Sequence, residues 1–122
     1  MAKFEYRHFI IFGPQSEFAA LATECAGDQG HWWDFHDEYM SGNAVRYTRR
    51  GALEFAADLG MDGEEFTQCL DDQRHLDRLE RMQVEAFERG IQGTPTVTVN
   101  GERVGNSPTT VIRRVRELAG LE

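Results

Sequence analysis

The chain reads as an α/β fold built from one strand, five helices, a tight hairpin and a closing helix. Three observations predict it. Residues 3–11 set Phe4, Tyr6, His8 and Ile10 against Glu5, Arg7, Phe9 and Ile11, a period-two pattern that turns apolar on both faces towards its end. From Ser16 to Arg89 the apolar residues recur at helical spacing, in segments punctuated by glycine. Finally, Val97-Thr98-Val99 and Glu102-Arg103-Val104 flank Asn100-Gly101, the strongest short hairpin signal, because both central positions of a type I′ turn need positive φ.

Each element has its own local warrant. Gly13-Pro14 stops the strand, and Ser16 is placed to cap a first helix whose stripe is Phe18, Leu21, Ala22, Cys25 and Ala26. Gly27 and Gly30 end it. A second helix carries Trp32, Trp33, Phe35 and Tyr39 and runs out near Gly42, and a third, over about 49–59, ends at Gly60 as its C′ residue. Asp62 with Glu65 three positions later matches a capping box and opens a fourth helix with Phe66, Cys69 and Leu70 on one face. A longer helix follows to about Arg89, with Leu76, Leu79, Gln83, Ala86 and Phe87 in register. Ser107-Pro108 is a cap followed by proline at the first helical position, and Val111, Ile112, Val115, Leu118 and Ala119 form the inward face of the last helix.

Composition narrows the function. With 122 residues, 40% hydrophobic and 28% charged, the chain is one domain able to bury a single core. Its net charge of −8 argues against nucleic acid or an anionic membrane as partner. The basic run Arg113, Arg114, Arg116 reads as a solvated helix face. No apolar run approaches the ~20 residues of a membrane span. The first eight residues carry charges where a signal peptide has its apolar stretch, so the chain as written is expected in the cytoplasm. Twelve arginines against one lysine suggest a bacterial, GC-rich coding bias.

No Gly-rich phosphate loop, Ser-His-Asp order or carboxylate pair stands out. His31 and His36 lie about 140° apart on a helix, so they diverge rather than share a ligand. His36 beside Asp37 reads as a polar contact, and neither a metal site nor a cofactor is expected. Trp32, Trp33, Phe35 and Tyr39 read as core and boundary aromatics.

Gly93-Thr94-Pro95-Thr96 with its closing hairpin resembles the cis-proline loop of thioredoxin-fold proteins, and its wording is most like the DsbA family. Tyr6-Arg7-His8-Phe9 resembles that family's strand leaving the redox helix. Ala22 to Gly30 followed by Trp33 and His36-Asp37 resembles the opening of its helical insertion, and Leu59-Gly60-Met61-Asp62 with Phe66-x-x-Cys69-Leu70 resembles its middle. Thr94 favours the oxidoreductase branch over the glutathione-dependent isomerases, which usually carry Val there. The resemblance implies a single DsbA-type domain with a helical insertion over about 14–90 and the thioredoxin-fold part at 1–13 and 91–122. It starts after the family's first strand and redox helix, and the chain holds no Cys-x-x-Cys.

Several expectations come with the resemblance. Thr94-Pro95 is expected to be cis and to offer backbone groups to an extended substrate, a form of strand addition; the alternative is a structural turn without that use. The family activity is thiol–disulfide oxidoreduction, which needs a low-pKa thiolate at a helix N-terminus with a resolving thiol nearby. Cys25 and Cys69 sit late in their helices, so no catalytic residue is assigned and the chain is expected to be inactive alone. Corresponding cysteines are bonded in some relatives; a Cys25–Cys69 bond and two buried free thiols both remain open, with a redox-active pair as a third reading. A non-catalytic protein- or peptide-binding module is the alternative function. The family is often extracytoplasmic. The family's intervening strand has no counterpart here, so a homodimer or a partner chain is expected to complete the sheet, unless the two strands pair directly within one chain.

Overall fold

The structure is a computed structural model, and it describes residues 2–10 and 13–121. Its order is α1 (Pro14–Gly27), α2 (Trp32–Met40), a 3-10 turn (Ala44–Tyr47), α3 (Arg49–Asp58), α4 (Gly63–Asp71), α5 (Leu76–Glu88), β1 (Val97–Val99), β2 (Glu102–Val104) and α6 (Pro108–Leu118).

The core belongs to the helices. α1 lies in the middle, with every residue from Ala20 to Ala26 buried, against α2, α4, α5 and the 3-10 turn. The stripe expected from its spacing was therefore too narrow: Ala20, Thr23 and Glu24 are covered as well, as befits a helix packed on several sides. Phe35, Tyr39, Ala52, Ala56, Phe66, Cys69, Leu70 and Leu79 complete the core. Phe35 sits 5.0 Å from Phe55 and 5.4 Å from Phe66 between ring centroids.

Side-chain caps open three of the six α-helices among the described residues, α3, α4 and α6. Asp62 accepts from the Glu65 N–H at 3.1 Å, and Ser107 accepts from the Thr110 N–H at 3.2 Å. The Asp62 N–H itself donates to Gln29 Oε1 at 2.8 Å, so Glu65 does not return the bond of a full capping box and instead accepts from Arg74. α1 starts two residues before the expected Ser16 cap, because Gly13 at φ 74° turns the chain into Pro14 at the first helical position. The 3-10 turn has no apolar period to reveal it; it is held by Asn43, which accepts from the Val45 N–H, and is followed by Thr48 capping α3.

The sheet has two strands, β1 antiparallel to β2, with Val97 opposite Val104 and Val99 opposite Glu102. Asn100 (φ 52°) and Gly101 (φ 82°) make the turn with the two positive φ values a type I′ corner demands. Residues 3–10 form no regular strand, and Ile11, the end of the expected strand, lies outside the described residues. The reason is visible at Ile10, whose N–H donates to Gln83 Oε1 at 2.9 Å while its carbonyl accepts from Gln83 Nε2 at 3.2 Å. A side-chain amide of α5 thus takes both backbone groups that a neighbouring strand would pair. Direct pairing of this segment with β1 does not occur among the described residues.

No residue of β1, β2 or α6 is buried. Ile112 and Leu118, expected inward, are exposed, because α6 packs on a hairpin of two three-residue strands that is too small to cover its stripe. Phe87, also expected inward, is 67% exposed and, among the aromatic rings of the described residues, meets only Phe9, at 6.2 Å.

Candidate functional site

Three places carry chemistry, and they do not coincide. The first is the loop between α5 and β1. Thr94-Pro95 is cis, and both residues are exposed. Thr96 Oγ1 donates to the Gly93 carbonyl at 2.7 Å and Asn106 Nδ2 donates to the Pro95 carbonyl at 3.4 Å, which holds the loop from both sides. Neither backbone group of Thr94 has a hydrogen-bond partner among the described residues.

The second is the bond between Cys25 and Cys69, which joins α1 to α4 with their Cα atoms 5.9 Å apart. Both residues are 1% exposed. The bond closes a loop with a sequence separation of 44, long enough to contribute about 4 kcal/mol by restricting the unfolded chain. It lies inside the helical core, whereas the loop lies outside it, and among the described residues there is no free cysteine.

The third was not legible as a site in the sequence. Glu24, 7% exposed, is gripped by three side chains: Trp32 Nε1–H donates to Oε2 at 2.6 Å, Arg78 donates to Oε1 at 2.9 Å, and His8 Nε2 lies 3.2 Å from Oε2. Burial alone would raise this carboxyl, but the hydrogen bonds from His8 and Trp32 and the charges of His8 and Arg78 outweigh it and hold it down to about 2. Around the group stand Tyr6, 4.8 Å from Trp32 and 5.1 Å from His36, with Trp32 stacked on His36 at 5.4 Å. Trp33 remains half exposed at the rim of this aromatic patch. Glu24 is thereby a fixed anion that anchors the N-terminal segment to α1, α2 and α5.

The expected polar contact of His36 with Asp37 is present at 2.9 Å, and His31 meets Asp34 at 2.7 Å. The two histidines share no ligand cluster among the described residues. In the basic run of α6, Arg113 and Arg116 are exposed as expected, whereas Arg114 is partly covered: it bridges Glu102 and Glu117, and its Nε is buried with no partner among the described residues.

Helices followed by a loop, a β-hairpin and a closing helix are consistent with an α/β, thioredoxin-like class of protein with added helical content. The chain belongs to the thioredoxin family, whose model matches residues 1–114, and this family is of the thiol–disulfide oxidoreductase type. The chain is also similar to short stretches of larger curated proteins. One is a Na(+)/H(+) antiporter NhaA of Herminiimonas arsenicoxydans, 36% identical over 100 residues covering 77% of this chain and 15% of that protein. Another is Na(+)/H(+) antiporter NhaA 1 of Salinispora arenicola, 32% identical over 103 residues, or 83% of this chain and 16% of the relative. A third, NhaA 3 of Salinispora tropica, is 30% identical over the same span and shares. The chain spans only 15–16% of the length of these relatives. No solved structure matches it. No helix among the described residues is long and apolar enough to cross a membrane.

Proposed function

We propose that this chain is the substrate-holding portion of a DsbA-type thioredoxin domain: it binds an extended protein or peptide segment along Thr94-Pro95 and carries out no disulfide exchange by itself. The observation that carries this reading is exposed Thr94, whose backbone groups have no hydrogen-bond partner among the described residues, on a loop braced by Thr96 and Asn106. Catalysis is set aside on chemical grounds. Catalytic turnover needs sulfurs that a substrate reaches readily, and both cysteine sulfurs lie buried in the helical core, which leaves their bond open only to slow, stoichiometric reduction. The antiporter activity named for the relatives is not carried over, because the chain matches only a small part of each.

The assay is insulin reduction with a dithiol, alongside photo-crosslinking of an extended peptide. No turnover above the uncatalysed rate is expected, with labelling at residues 93–96 that drops on Thr94→Pro, which removes the Thr94 N–H. Turnover that vanishes in Cys25→Ser, or labelling indifferent to Thr94→Pro, overturns the proposal.

A further inference from the structure

The bonded sulfurs have neighbours that neither the fold nor the loop explains. Cys25 Sγ, Cys69 Sγ and a ring nitrogen of His75 all lie within 4.8 Å of one another. Asp28 Oδ2 lies 3.6 Å from Cys69 Sγ and 2.8 Å from His75 Nε2. The four residues come from the end of α1, from α4, and from the residue just before α5. We propose that Cys25, Cys69, His75 and Asp28 form a divalent metal site of the zinc class, masked while the disulfide is intact and opened by its reduction.

Two thiolates, one imidazole and one carboxylate make a donor set suited to tetrahedral zinc. The geometry is close to what coordination asks. Zinc–sulfur bonds of about 2.3 Å at the tetrahedral angle put two sulfurs roughly 3.8 Å apart, within the 4.8 Å that already spans both sulfurs and the His75 nitrogen. The helix pair stays anchored by Phe66 and Leu70 on α4 and Leu21 and Ala22 on α1, all buried. Asp28 and His75 are the members of the cluster that reach solvent, with side chains 34% and 17% exposed, whereas the two sulfurs are covered.

The reaction balances with a thiol as reductant. Two R–SH molecules break the Cys25–Cys69 bond, leaving two cysteine thiols and one R–S–S–R; the metal ion then takes both sulfurs as thiolates and two protons leave. The oxidised chain offers no thiolate and holds no metal there.

The test adds zinc(II), or cobalt(II) as its coloured probe, to the 122-residue chain before and after reduction by a phosphine, which takes oxygen from water as it releases the two thiols. One ion per reduced chain is expected, with thiolate-to-cobalt charge transfer and the helical circular dichroism of the oxidised chain retained; the oxidised chain should bind none. His75→Ala keeps the disulfide available for folding and should weaken zinc at least tenfold against a chromophoric chelator, while His31→Ala leaves it unchanged. Absence of the charge-transfer band, equal zinc affinity in His75→Ala, equal binding before reduction, or a metal-bound form without helical dichroism each overturns the site. None of these outcomes bears on Thr94-Pro95.

Discussion

Glu24 shows how much one residue can decide. Its carboxylate is the shared acceptor of Trp32, Arg78 and His8, drawn from three separate segments. Its folded pKa, about 2, lies below the ordinary carboxylate value of 4.5. A depressed folded value means stability that is present above the unfolded pKa and is lost as pH falls through the folded one. The chain should therefore weaken between about pH 4.5 and 2. Glu24→Gln should cost about 1–3 kcal/mol at neutral pH and flatten that acid limb, read from urea midpoints against pH. Parallel acid limbs in the two proteins would remove Glu24 as their source. The sequence gives little warning of this, since Glu24 reads as one polar residue beside an apolar stripe and its partners lie 16, 8 and 54 positions away. Asp62, Ser107 and Asn100-Gly101 were legible because their partners are three residues away or less.

At the scale of elements, α3 depends on a glycine that helix propensity alone would disfavour. Gly51 is buried in the first turn of α3 against the 3-10 turn, and a Cβ there would overlap the Val45 carbonyl. Arg46 Nη1 donates to the Gly51 carbonyl at 2.9 Å and its Nε to Glu38 at 2.7 Å, so the turn is bound on its other side too. Gly51→Ala should destabilise by about 1–3 kcal/mol through overpacking, although alanine is the better helix former. A thermal melt decides it; a rise in Tm would show that the turn yields freely. The helices themselves were readable from period and caps. Their burial was not, because how many neighbours surround α1 is a property of the assembled bundle rather than of its own spacing.

For the whole molecule, the imbalance lies between a packed helical part and a thin sheet. An isolated two-stranded hairpin is marginal in water, and β1–β2 has α6 on one face with no third strand among the described residues. Phe4, Phe87, Val84, Ile112 and Leu118 are exposed. A second copy or a partner chain pairing with the open edge remains our proposal, and static light scattering at micromolar concentration should give about twice the chain mass of 13.9 kDa. A monomer peak with a melt independent of concentration would exclude self-association. The same imbalance sets a clock on the molecule. Since β1, β2 and α6 contribute nothing to the common core, they can open while α1 and its crosslink stay shut. In deuterium the amides of Val99, Glu102 and Val115 should exchange orders of magnitude sooner than those of Ala22 and Cys25, and a bound peptide or second copy should slow the first set alone. Protection of the hairpin would then report occupancy of the loop, and protection of α1 the integrity of the chain.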